Sequence, residues 1–251
     1  MDDTQWRLVK LETRDAFMNM ALDEAVSESV ASGESMPTIR FYKWKPSAVS
    51  IGYFQSLKEE VDDNFAKEIG ADIVRRRTGG GAVYHDNKGE ITYSIIGQEK
   101  LFPKDLIESY KLICGWIINS LTLLDIEANF APINDILVGG KKISGNAQTR
   151  RNGILLQHGT ILYDLDVETM FRLLKVPKEK ISDKMISDVK QRVTRVLDFK
   201  QVEEAELAQA LVNGFTDGKN VYEEGWTAKE LNRARELAQT KYATKEWNYM
   251  R

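Results

Sequence analysis

Residues 75–86 read RRRTGGGAVYHD, and the fold turns on the segment into which the glycines lead. Arginines supply fixed positive charge and forked donors, and glycines let backbone N–H groups approach whatever those arginines hold. Together they predict a bound anion. The stretch matches neither GxxxxGK[ST] nor GxGxxG. It runs into an apolar, strand-like segment instead of a helix, so mechanisms that place a phosphate at a helix N-terminus do not apply. A kinase or a dehydrogenase on a doubly wound parallel sheet is therefore disfavoured. The competing reading is a glycine-rich turn with its arginines solvated on the rim.

Working outward, the segments TIRFYKW and AVSIGYF read as two strands joined by a turn at Lys45-Pro46-Ser47. ADIV, GAVYH and EITYSII add strands, and Asp86-Asn87-Lys88-Gly89 suits a tight hairpin between the last two. A short strand is predicted around Trp6–Lys10, and a helix over 17–30, where Leu22, Val26 and Val30 recur at four-residue steps. Pro103 and Asp105 open a second helix carrying Leu106, Tyr110, Ile113, Ile117, Leu121 and Leu124. DILVGGKKISGNAQ reads as a hairpin turning at Gly139-Gly140, with GILLQHGTILYDL as a further strand. ETMFRLL, EEAELAQALVNGF and a helix starting at the TAKE capping box from Thr227 make the last third more helical. Strands with scattered helices predict an α+β fold with a large mixed, mostly antiparallel sheet flanked by helices.

The 251 residues carry 35 Lys+Arg against 38 Asp+Glu, a net charge of −3. No global basic field argues for nucleic acid or an anionic membrane, so an anion must be held locally. No signal-type segment and no apolar run near the ~20 residues of a membrane span is visible, which predicts a cytoplasmic protein. A single cysteine, Cys114, excludes an internal disulfide and a cysteine-rich zinc site. No repeat or linker splits the chain, and residues 1–251 read as one domain.

Three motifs in one order carry a resemblance: RRRTGGGAVYHD, then INDILVGGKKISGNA, then LQHGTIL. Together they resemble the lipoate-protein ligase A family of the biotin/lipoate ligase superfamily. The similarity extends through RFYKWKPSAVSIGYFQ, LKVPKEKISDK, QRVTRVLDF and ATKEWNYMR, over nearly the whole chain. It implies the biotin/lipoate-ligase catalytic fold, as a short form in which 1–251 is the catalytic domain without a separate C-terminal accessory domain. It also implies an ATP-dependent reaction in which lipoate is activated to lipoyl-AMP and passed to a lysine of a lipoyl carrier. The implied partners are lipoyl domains of 2-oxoacid dehydrogenase E2 subunits and the glycine cleavage H protein, with a separate accessory protein for adenylation left open.

Adenylation brings two anions together, a task for fixed cations and backbone donors. By position in the family motifs, the resemblance implies that Arg76 binds the acyl carboxylate and phosphate. Gly79 and Gly80 shape the turn, and the backbone of Gly81, Ala82, Val83 and Tyr84 lines the nucleotide site. Lys142 matches the catalytic lysine, where a compact ammonium reaches oxygens on two groups. Asn134 and Asp135 either orient ATP and hold Mg2+ through Asp135, or form an ordinary turn. His85 and His158 shape the acyl pocket; with only two histidines, a zinc site lacks a third ligand. Ser144, Gly145, Ala147, Gly159 and Thr160 complete the lipoyl-AMP site. Tyr42, Tyr53 and Phe54 either line an apolar tunnel or belong to the core.

Two alternatives remain. An octanoyltransferase, a relative that moves octanoyl from acyl carrier protein to a lipoyl domain through a cysteine thioester, needs an activated thiolate. Cys114 sits inside the periodic helix KLICGWIINSL and reads as structural, which disfavours that mechanism. The other alternative is a non-catalytic lipoyl-binding subunit. A biotin-protein ligase is disfavoured because its GRGR-type loop is absent.

Overall fold

The computed structural model describes residues 4–175 and 192–251; most of LKVPKEKISDK, residues 176–184, lies outside them. Eleven strands form among the described residues: β1 (Gln5–Arg14), β2 (Thr38–Trp44), β3 (Ala48–Ile51), β4 (Asp72–Arg75), β5 (Val83–His85), β6 (Glu90–Gln98), β7 (Asn129–Ala131), β8 (Asp135–Val138), β9 (Lys141–Arg151), β10 (Ile154–Leu162) and β11 (Asn220–Glu223). They build an eight-stranded sheet in the order β11-β1-β2-β6-β10-β9-β8-β7 and a three-stranded sheet β4-β3-β5. In the large sheet β11, β1 and β2 run parallel and every other neighbour pair is antiparallel. The large, mixed, mostly antiparallel sheet with flanking helices is the expected α+β architecture.

Helix α1 (Ala16–Ala31) starts where the Asp15 side chain accepts from the Met18 N–H at 2.7 Å, satisfying a donor that a helix start leaves open. Two short helices follow, α2 (Leu57–Glu60) and α3 (Asp63–Glu68), then α4 (Leu106–Thr122) capped by Asp105, and α5 (Val167–Leu173). After the undescribed stretch come α6 (Glu204–Thr216), α7 (Ala228–Leu237) and α8 (Lys245–Asn248). The capping box at Thr227 and Glu230 forms as expected. The same Glu230 carboxylate receives the Arg7 guanidinium through two hydrogen bonds of 2.6 and 2.8 Å, fully buried. That pair ties α7 to the first strand.

The two faces of the large sheet differ. Side chains alternate along β6, so Ile91, Tyr93 and Ile95 point into one core with Ile113, Cys114 and Ile117 of α4 and Leu211 and Phe215 of α6. Thr92 and Ser94 point to the opposite face, as do His158 of β10 and Arg40 of β2, where α1 presents Asn19 and Asp23. The site lies against this polar row.

Two expected hairpins are corrected. TIRFYKW and AVSIGYF form strands but separate into different sheets: β2 lies between β1 and β6, whereas β3 pairs with β4 and β5. Likewise β5 and β6 do not pair across Asp86–Gly89. The burial explains the difference, since β3 and β6 are apolar or buried on both faces, the signature of interior strands with two partners. The Gly139-Gly140 hairpin between β8 and β9 forms as expected.

Candidate functional site

The three consecutive arginines do three different jobs. Arg75, fully buried, donates from Nη1 to the carbonyls of Gly52, Tyr53 and Gln55 and from Nε and Nη2 to those of Trp247 and Asn248. Trp247 Nε1 donates back to the Arg75 carbonyl at 2.8 Å, so the KEWN segment is clamped to the small sheet. Arg77 points towards Glu24 of α1 at 4.0 Å.

Arg76 lies between them with 4% exposure. Its Nε donates to Thr78 Oγ1, Nη1 to the Ser50 carbonyl and Ser50 Oγ, and Nη2 to the Gly79 and Gly81 carbonyls, all within 2.7–3.1 Å. A guanidinium has five N–H donors, and all five are engaged by protein. Burial pushes its pKa down to about 10, so it stays cationic at neutral pH. The loop it holds is close-packed: Gly80 takes φ +93°, and its carbonyl lies 2.0 Å from where a Cβ on Gly52 would stand. Arg76 thus shapes the glycine loop.

Both histidines are wired to Arg76's partners. His158 places Nε2 2.7 Å from Thr78 Oγ1 and Nδ1 3.1 Å from Asp23. His85 places Nε2 2.8 Å from Ser50 Oγ and Nδ1 2.7 Å from Glu90, with its ring stacked on Trp44 at 3.9 Å. Burial lowers the His158 pKa despite its carboxylate neighbour, which keeps the imidazole neutral. Burial alone would raise Asp23, but the His158 hydrogen bond and the Arg40 charge outweigh it and hold that carboxyl low.

The opposite wall comes from the β8–β9 hairpin. Lys142 Nζ pairs with Asp135 at 2.7 Å, both side chains about a third or more exposed, and lies over Gly145, where an added Cβ would meet Nζ at 2.7 Å. The Lys142 backbone is clipped on both sides, its N–H to the Arg192 carbonyl and its carbonyl to the Thr194 N–H. Arg192 and Thr194, from the described part of QRVTRVLDF, therefore fix the lysine's strand. Asn134 and Asn146 exchange side-chain-to-carbonyl hydrogen bonds across the turn, and Tyr93 donates to Asn146 Oδ1 at 2.7 Å.

Between the walls lies a cleft of about 160 Å³. Of the expected residues, Arg76, Gly80, Gly81, Ala82, Val83 and His85 line it from one side. Asn134, Lys142, Gly145, Ala147, His158, Gly159 and Thr160 line it from the other. Gly79, Tyr84, Asp135 and Ser144 do not. Tyr84 turns into the apolar cluster of the small sheet because β5 alternates, and Ser144 is buried behind the hairpin. Asp135 reaches the cleft only through Lys142, its carboxylate engaged by that ammonium; among the described residues no group of three His, Cys, Asp or Glu side chains is placed to hold a metal.

Of the tunnel candidates only Tyr42 lines the cleft; Tyr53 and Phe54 do not, and Phe54 is 68% exposed. Residues that sequence reasoning missed are Met20, Trp44, Ser50, Thr92 and Asn146, with Asp23 and Glu90 behind the histidines. Cys114 faces the apolar core from α4, fully buried, and burial pushes its thiol up to about 12. Its thiol does not line the cleft.

Residues 15–216 match the lipoyl protein ligase A/B catalytic domain. The chain is 36% identical to the octanoyltransferase LipM of Geobacillus kaustophilus, over 98% of each chain. The LipM of Brevibacillus brevis is 35% identical, over 98% of this chain and 99% of that one. Among solved structures, the bi-partite lipoate protein ligase of Thermoplasma acidophilum superposes with a TM-score of 0.88 at 36% identity, covering 98% of this chain and 96% of that one. The expectation of an ATP-dependent, lipoyl-AMP-forming ligase is corrected here: curated relatives that match end to end, such as these two, are octanoyltransferases. Among the described residues no helix is long and apolar enough to cross a membrane.

Proposed function

The chain belongs to the lipoyl protein ligase A/B catalytic domain family, and from that premise we propose that it transfers an octanoyl group from a thioester on acyl carrier protein to a lysine of a lipoyl carrier domain. The observation that carries this reading is the end-to-end match to octanoyltransferases. The cleft suits the chemistry: Met20, Tyr42 and Trp44 offer an apolar wall to an alkyl chain, and Lys142 sits at the polar end. In that role the Lys142 ammonium faces the acyl carbonyl oxygen and stabilises the negative charge it gains as the carrier lysine attacks. The glycine loop, held by Arg76, closes over the acyl group from the other side. The carriers are the lipoyl domains of 2-oxoacid dehydrogenase E2 subunits and the glycine cleavage H protein.

The test is intact-mass analysis of an apo lipoyl domain after incubation with the chain and octanoyl-acyl carrier protein, without nucleotide. Addition of one octanoyl group at the target lysine is the expected result. An unmodified carrier under these conditions, with modification appearing only when a free acid and ATP are supplied, overturns the reading.

A further inference from the structure

Among the described residues Phe54 is the most exposed large apolar side chain, at 68%, and it stands at the lip of the cleft instead of inside it. Its Cδ2 lies 4.0 Å from where a Cβ on Gly79 would stand. The Tyr53 N–H donates to the Thr78 carbonyl at 2.9 Å, so the pair leans on the glycine loop whose Gly80 and Gly81 line the cleft. The two rings meet edge to face, 5.0 Å apart. Arg151, at the end of β9, sets its guanidinium 4.7 Å from the Tyr53 ring centre, and Arg251 sets its own 5.3 Å from that of Phe54. Among the described residues neither guanidinium forms an ion pair, so both keep charge-assisted donors for a partner.

We propose that this arginine-aromatic knuckle is the docking surface for the carrier domain that accepts the acyl group, engaged by carboxylates flanking its target lysine; this rests on the acyl-transfer reading above. The reach of the acceptor argues for it. A lysine carries its amine on a short stem, so the domain that bears it must rest on the lip for the amine to meet an acyl carbonyl inside the cleft. A donor that presents its thioester on a long flexible arm has no such need.

Charge and rigidity point the same way. The chain as a whole is anionic, at −3, so two unpaired cations at the lip are a local feature that selects an acidic partner and turns it towards the cleft. Arg75 donates from Nη1 to the carbonyls of Gly52, Tyr53 and Gln55, and Gln55 Oε1 accepts from the Gly52 N–H at 2.9 Å. A buried arginine thus fixes the turn that displays Phe54, and a ring held in advance loses little freedom on docking. Aromatic residues and arginine are also what interfaces concentrate. On the other wall, exposed Ile133 precedes the cleft-lining Asn134 and offers the docked domain a second apolar contact.

Binding is measured first without chemistry, by titrating the full chain into dye-labelled apo lipoyl domain with no acyl donor present. Phe54→Ala and Arg151→Glu are each expected to weaken Kd by about 10-fold or more, at the parent's melting temperature. Added salt should weaken binding by the parent but hardly affect the double variant Arg151→Glu, Arg251→Glu. Lysines in place of the acidic residues flanking the carrier's target lysine should restore part of that double variant's binding. In steady-state transfer the same substitutions should raise KM for the lipoyl domain by a similar factor, with kcat and the KM for octanoyl-acyl carrier protein near the parent's. Parent-like Kd and KM in folded Phe54→Ala and Arg151→Glu overturn the docking surface. So does a rise confined to the KM for octanoyl-acyl carrier protein, which assigns the knuckle to the donor, or a concentration-dependent dimer that Phe54→Ala dissolves, which assigns it to a second copy. A lipoyl domain that binds through the knuckle yet stays unmodified by the thioester upholds the docking and overturns octanoyl transfer alone.

Discussion

Arg76 and Lys142 face one cleft from opposite walls, and their surroundings have little in common. The Arg76 guanidinium is buried, and each of its N–H groups is taken by Thr78, Ser50, Gly79 or Gly81. The Lys142 ammonium is 41% exposed and, among the described residues, has one ionic partner, Asp135. One cation is built into the wall; the other is held by an exposed ion pair that a substrate can displace. Charge at a cleft is therefore not equivalent to charge available for chemistry, and what separates the two is the count of donors already engaged.

Substitutions at the two residues should separate along that line. Arg76→Ala leaves five acceptors of the loop without their donor and opens a void, so it is expected to cost about 3–5 kcal/mol of stability, with activity lost along with the loop. Chemical denaturation checks the first part; a variant as stable as the parent would mean the loop holds itself. Lys142→Ala should do the reverse. Its melting temperature stays near the parent's, because an exposed ion pair contributes roughly 0–1 kcal/mol, while octanoyl transfer falls by roughly 10² to 10³. Unchanged transfer rates would remove the lysine from the reaction.

A smaller effect sharpens the same contrast. A methyl group at residue 145 would stand 2.7 Å from Lys142 Nζ, and the long side chain can move aside cheaply. Gly145→Ala is therefore expected to leave folding nearly intact and slow transfer by roughly tenfold, the scale of about 1.4 kcal/mol lost to a displaced charge. Equal rates for the variant and the parent would show that the ammonium's position over Gly145 does not matter.

Legibility in the amino-acid sequence divides along the same line. The glycine loop and the lysine hairpin are legible because their chemistry is local: neighbouring residues set the turn and the motif. The helix at Thr227 is likewise written in four adjacent letters. The residues behind the histidines are not, since Asp23 and His158 are 135 positions apart and nothing local marks them as a pair. A signal does exist. Asn19, Asp23 and Ser27 recur at four-residue steps beside the apolar row of Leu22, Val26 and Val30, and a polar stripe next to a buried helix face requires polar partners elsewhere. The separation of β2 from β3 is hidden for a related reason: a three-residue connector permits a hairpin, and only the competition among remote partners for each strand decides otherwise.

The pH dependence of stability probes the built-in wall and not the exposed lysine. Burial lowers the His158 pKa from its ordinary 6.5, so the unfolded chain takes up a proton at a higher pH than the folded one. The stability this group contributes is fully present above pH 6.5 and is lost as pH falls through the lowered folded value. Melting temperature should therefore decline as the pH drops below 6.5, and His158→Gln, which cannot titrate, should flatten part of that decline despite a lower melting temperature at neutral pH. Lys142→Ala should retain the parent's slope, because its ammonium is no part of the buried relay. Equal slopes in the parent and His158→Gln would mean that the histidine is protonated to the same extent in the folded and unfolded chain, which its burial between Asp23 and Thr78 argues against.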